Sequence, residues 1–281
     1  GGALAFLQLG FYAIALALAV GYVVSRRERS LRADGATING IVTFLVRFAF
    51  WSVLLVGLGD IVVSFLRVEE LLVPVLGQEL GQAWGYNQNR APQLHLSLIG
   101  VGFVLALVTR TLGFQWLALA VVLAELAIVI SRFVFSYEQA FQADLVRFWY
   151  GALFLFASAY TLYADGHVRV DVIYSGMSVK KQGLVNMIGC LVMGVLFCWI
   201  ILIMGMDGKA SVVNAPILAL EITQAGFGMY VKYMMAGFLA VFAVTMMLQF
   251  CSYLLESAAD WRGDPGGRHH HVHGEDAVTE V

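Results

Sequence analysis

The stretch Phe148-Trp-Tyr-Gly-Ala-Leu-Phe-Leu-Phe-Ala-Ser-Ala-Tyr160-Thr-Leu-Tyr-Ala-Asp165-Gly-His167-Val-Arg169-Val-Asp171-Val-Ile-Tyr-Ser175 decides how the chain is read. From Phe148 to Ala164 there is no charge, and then Asp165, His167, Arg169 and Asp171 arrive within seven residues, interleaved with Val168, Val170 and Val172. A long apolar run with so abrupt a polar edge marks a bilayer surface. Strict alternation over the valines fits a strand, but a lone strand at a membrane leaves its backbone groups without ladder partners. A helix or helical turn in the interface is the favoured reading, because it makes Asp165–Arg169 and His167–Asp171 i,i+4 pairs. A solvated loop that stops the preceding helix from sliding is the alternative.

Composition extends this reading to the whole chain. Of 281 residues, 60% are apolar and 13% charged, far from what a soluble surface needs. The expected fold is all-α, a polytopic integral membrane protein with about seven transmembrane helices. The net charge of −2 gives no reason to expect nucleic acid as a partner. Cys190, Cys198 and Cys251 all sit in apolar runs, have no ligand spacing, and read as small buried side chains.

Working outward, the first predicted span covers about 3 to 24 and is followed by Arg26, Arg27, Arg29 and Arg32. That order suits a helix whose C-terminal end stays in the cytoplasm better than a cleaved signal peptide. A second span, about 40 to 66, carries Arg47 near one end and Asp60 near the other, both within reach of an interface. Residues 67 to 93 are rich in glycine, proline and polar side chains and read as an external loop with a short interfacial helix. A third span follows at about 95 to 109, beginning at His95. No convincing histidine set for haem accompanies it, so no cofactor is expected.

The fourth span, about 114 to 131, encloses Glu125, an intramembrane carboxylate and therefore a functional suspect. Its depth matches that expected for Lys232 near the start of the last span, about 226 to 255. An ion pair between Glu125 and Lys232 is one reading; contact of each with an interface or a partner subunit is the other. The segment from Phe135 to Arg147 includes Glu138 and Asp144 and reads as an amphipathic helix along the outer interface. The sixth span covers about 184 to 206. The tail, 259 to 281, reads as disordered and cytoplasmic; its histidines at 269, 270, 271 and 273 form no fixed metal site.

Counting lysine and arginine tests the topology. With the N-terminus periplasmic, the inward segments hold ten and the outward segments five, which puts the polar knot and the C-terminus in the cytoplasm.

The residues from Phe148, with Trp149, through Gly166-His-Val-Arg-Val-Asp171, together with Ser131-Arg132-Phe133 upstream and Lys232 downstream, resemble a known family. This is the small membrane subunit (DctQ family) of tripartite ATP-independent periplasmic (TRAP) transporters, and the pattern is closest to its mannitol, chloroaromatic or 2-oxo acid branch. The resemblance covers roughly 114 to 258 and leaves 1 to 113, with three spans, as an N-terminal extension. It implies a noncatalytic four-helix unit in a bacterial inner membrane. Its implied partners are a large sodium-coupled permease subunit (M subunit), a periplasmic substrate-binding protein and membrane lipids, working together in organic acid uptake. Glu125, Arg132, Glu138, Asp144, Trp149, Asp165, His167, Arg169, Asp171 and Lys232 are the structural or partner-contact candidates; no catalytic, cofactor or metal residue is expected. One departure stands out, since Ala225-Gly-Phe-Gly228 replaces the Gly-Gly-Leu-Pro turn frequent in the branch before the last helix.

The residues point the same way. A self-sufficient carrier usually has broken helices with polar groups converging at mid-membrane, whereas most spans here are unbroken and apolar. A scaffold is therefore favoured over an independent channel or carrier, over the membrane anchor of a redox complex, and over an enzyme.

Overall fold

A computed structural model describes residues 2–110, 113–164, 166, 172–222 and 228–267. All regular elements among them are helical: α1 (Gly2–Ser25), α2 (Leu31–Val68), α3 (Leu72–Trp84), α4 (Asn87–Val108), α5 (Phe114–Phe135), α6 (Ala140–Tyr163), α7 (Val179–Met206), α8 (Asn214–Leu218) and α9 (Lys232–Arg262). All but α3 and α8 are long and apolar enough to cross a membrane, giving the seven expected spans. The protein is a multi-pass membrane protein.

Three boundaries differ from expectation for identifiable reasons. Ser30 caps α2 by accepting the Ala33 N–H, and Asp34 sits in the first turn, so α2 starts well before residue 40. The expected interfacial helix over 135 to 147 does not form as a separate element. Gln139 and Gln142 make a reciprocal capping box, and α6 runs unbroken from Ala140. In α4, Pro92 falls in a π-helical turn over Ala91–His95, a widening that accommodates the missing proline N–H and lets the helix continue to Val108.

Helices α2, α6 and α9 pack against one another and carry the core. Val42, Val46, Phe50, Val53 and Val56 line one face of α2 at helical spacing, and Phe141, Leu145, Phe148, Ala152 and Phe156 do the same on α6. Phe238 of α9 closes the centre, with ring contacts to Phe148 and Phe156. Helix α4 lies against α2, α7 against α9, and α5 against α6. Close approach depends on glycine at two places. A Cβ on Gly102 of α4 would sit 2.8–3.0 Å from Ser52 of α2, and one on Gly57 of α2 would overlap the Trp149 indole of α6. Helix α1 stands apart, with every side chain from Ala5 to Ser25 exposed.

Polar contacts hold α2 to α9 at both ends. At one end Arg32 reaches Glu256 at 2.9 Å and Asp260 at 2.8 Å and donates to the carbonyls of Asp264 and Pro265. One helical turn before Glu256 on α9, Ser252 donates to the Gly35 carbonyl at 2.8 Å. Arg47 does not snorkel to an interface. Its guanidinium donates to the carbonyls of Ala106 and Thr109, capping the C-terminal end of α4, where the exposed backbone acceptors favour a cation.

Candidate functional site

The other end of α2 holds a cluster built on a buried carboxylate. Asp60 follows the apolar face of α2 in register, one turn beyond Val56, and is fully buried. A buried carboxylate is tolerable only when paired and hydrogen-bonded, and Asp60 is both. Its Oδ1 takes Arg90 Nη1 at 3.0 Å and His95 Nε2 at 2.9 Å. Its Oδ2 accepts the Tyr230 backbone N–H at 2.9 Å and the Ser64 hydroxyl at 3.4 Å. Arg90 and His95 come from the first turns of α4, on either side of Pro92, and both are fully buried.

The second ring nitrogen of His95 meets the Tyr233 hydroxyl at 2.8 Å, and the two rings stack. With Asp60 as acceptor, Nε2 carries its hydrogen toward the carboxylate and Nδ1 accepts from Tyr233. Arg90 also donates from Nε to the Trp84 carbonyl at 2.8 Å. Two guanidiniums lie over the Tyr230 ring, Arg67 at 4.3 Å and Arg90 at 4.2 Å from its centroid. Arg67 also donates to the Tyr230 hydroxyl and to the Gly228 carbonyl. Asp144 of α6 accepts the Met229 N–H at 3.1 Å. Residues 228–230, which lead into α9, are thus gripped by acceptors and donors from α2 and α6.

Beside this cluster, Tyr137 donates to Glu69 at 2.6 Å. Burial first, and then the Glu69 carboxylate, push the Tyr137 phenol up to about 12. The arrangement is a network of hydrogen bonds and ion pairs. It presents no nucleophile with a base and an oxyanion site, and among the described residues no three metal-binding side chains converge. It is a latch that fixes where α2, α4, α6 and the start of α9 meet.

The sequence candidates distribute unevenly over this frame. Trp149 is buried and donates to the Val53 carbonyl at 3.1 Å, and Asp144 belongs to the grip on Met229. Arg132 and Glu138 form an exposed pair at 3.4 Å. The Glu125–Lys232 pair is not formed. Lys232 instead meets Glu221 at 2.7 Å, because the short α8 and its following turn bring that carboxylate to the first turn of α9. Asp165, His167, Arg169 and Asp171 lie outside the described residues, as do Ala225, Gly226, Phe227 and the tail histidines.

Sequence reasoning set Asp60 aside by its depth in the bilayer, took His95 only as a possible haem ligand, and left Arg90 within the loop over 67 to 93. The signal that identifies Asp60 is its place on the same helical face as Val42, Val46, Val53 and Val56.

Comparison with protein families matched residues 118–260 to the family described as tripartite ATP-independent periplasmic transporters, DctQ component. The chain belongs to the DctQ family. Comparisons with curated proteins and with solved structures gave no significant match. A DctQ protein is a component of a tripartite transporter and not a member of an enzyme family. The matched stretch holds α6, α7 and α8 and most of α5 and α9, so Asp144, Tyr230 and Tyr233 of the latch fall inside the DctQ region while Asp60, Arg67, Arg90 and His95 precede it. The latch therefore joins α2 and α4, two of the three earlier spans, to the DctQ unit.

Proposed function

We propose that this DctQ protein is a fixed brace for the large permease subunit of a TRAP transporter. It stands in a bacterial inner membrane with its N-terminus periplasmic and its C-terminus cytoplasmic, and it helps dock a periplasmic substrate-binding protein. The observation that carries the reading is the matched DctQ region over 118–260. The helix packing supports it. Three of the buried polar side chains, Asp60, Arg90 and His95, are held in one network centred on the carboxylate, which suits a rigid support better than a substrate pathway. Sodium-driven uptake of organic acids or similar solutes follows from the resemblance to the mannitol, chloroaromatic or 2-oxo acid branch.

In this reading residues 1–113 are an extension that widens the brace, 114–258 form the DctQ unit, and 259–281 face the cytoplasm. The Asp60 latch holds the external segments before α9 at a set height, where the binding protein docks. Co-expression with the large subunit tests it: the two chains should purify together, and uptake in proteoliposomes should need both. Transport by this chain alone, or a haem spectrum or soluble enzyme partner in its place, overturns the proposal.

A further inference from the structure

Glu125 lies at the middle of the 22-residue α5, about 15 Å from either end at ~1.5 Å per residue. The helix continues past the expected end at 131 to Phe135, so Glu125 lies further from that end than the predicted span would put it. The side chain is exposed and forms no ion pair with any described residue. Around it the surface is apolar, with Val122 63% and Val129 49% exposed on the same helical face, one turn to either side. The flank of α5 that carries Leu117, fully buried, with Ala120, Val121 and Ala124 packed beside it, is the one covered by this chain's core.

A carboxylate at mid-bilayer depth on a lipid-facing surface is costly, and intramembrane charges normally pair with one another inside a bundle. Cations that this chain carries in its other spans are already engaged. Arg47 holds the end of α4, Arg90 holds Asp60, and Lys232 holds Glu221. A second copy of the chain does not meet the need either, since a two-fold contact through this face places one Glu125 against the other.

We propose that the α5 face carrying Val122, Glu125 and Val129 is the surface that receives the large subunit. Glu125 there pairs with a lysine or arginine presented at mid-membrane depth by one of that subunit's transmembrane helices. This inference rests on the brace reading above and names the face and the chemistry through which the brace is held. Charge complementarity in a low-dielectric setting supplies register, fixing the height of one subunit against the other.

The test uses the full chain co-expressed with its large subunit in native membranes. A photo-crosslinking residue at position 122 or 129 is expected to capture the large subunit, identified by mass spectrometry. Glu125→Gln is expected to lower recovery of that subunit at least tenfold and leave the thermal midpoint of the isolated chain unchanged. Capture of lipid or a second copy at both positions, with the large subunit captured from position 197 on α7, overturns the choice of face and leaves the brace intact. Capture of the large subunit from 122 and 129 with undiminished recovery of Glu125→Gln overturns the ion pair. Absence of capture from all three positions, in membranes where uptake is active, overturns both this inference and the brace.

Discussion

The Asp60 carboxylate of α2 accepts the backbone N–H of Tyr230 at 2.9 Å, across 170 residues of chain. A side chain from the second span thereby sets the conformation of the residues that lead into the last. The same carboxylate holds Arg90 and His95. Its removal therefore leaves a buried guanidinium unpaired, and Asp60→Asn is expected to cost roughly 3–5 kcal/mol of stability. Replacing Asp60 and Arg90 together by leucine should cost less than Asp60→Asn alone, since no buried charge is then left over. Thermal unfolding in detergent, followed by intrinsic fluorescence, compares the variants; equal losses would mean that the pair is not coupled.

His95 bonds on both ring edges, to Asp60 and to Tyr233. His95→Phe keeps the bulk and loses both bonds, which is expected to cost about 1–3 kcal/mol. His95→Gln, which retains a donor and an acceptor on one side chain, should recover part of that. The same unfolding measurement applies, and a glutamine variant no better than phenylalanine would show that shape alone matters.

Gly57 and Trp149 occupy one space between α2 and α6. Gly57→Ala places a methyl in the indole, and overpacking of this kind costs typically about 1–3 kcal/mol. Trp149→Phe removes the bond to the Val53 carbonyl, at about 1 kcal/mol. In the double variant the smaller ring makes room for the methyl, so its loss should fall short of the sum of the two single losses. Simple additivity would count against the contact.

Arg32 makes four bonds to the end of α9 and the residues after it. Arg32→Met should free residues 256–267 from α2, increasing amide exchange there by tenfold or more while leaving exchange around Tyr230 unchanged. A change at both ends would mean that the two clamps act as one.

Tyr137 titrates late because it is partly buried and donates to Glu69. Its folded value lies above the ordinary phenol value of 10.0, so its contribution to stability is complete below about 10 and is lost as pH rises through about 12. Glu69→Gln should bring the onset of its ionisation down toward the ordinary range. Absorbance at the phenolate band, with Tyr137→Phe subtracted from the other tyrosines, follows this directly.

Much of the architecture was legible from pattern alone. Unbroken apolar runs of bilayer length identified the seven spans, and the residues from Phe148 through Trp149 and Tyr150 into the polar knot carried the family resemblance that the matched region bears out. The latch was harder to read, because Asp60, Arg90 and Tyr230 are adjacent only after three separate helices have packed. Counted by depth, Asp60 looked close enough to an interface to be solvated there. Its helical register, shared with Val53 and Val56, places it inward instead. Lys232 shows the reverse error. Matching its height to Glu125 ignored the short α8, whose turn delivers Glu221 directly to it.

The two-ended attachment of α2 to α9 also bears on how the protein is made. Helix α2 leaves the ribosome about 200 residues before its main packing partner is complete, so until then Asp60 lacks the Tyr230 amide that its Oδ2 accepts. Completion comes only when the final helix inserts and delivers the Tyr230 amide. A chain truncated before α9 thus retains a polar face inside the bilayer, the kind of exposed intermediate that membrane quality control removes.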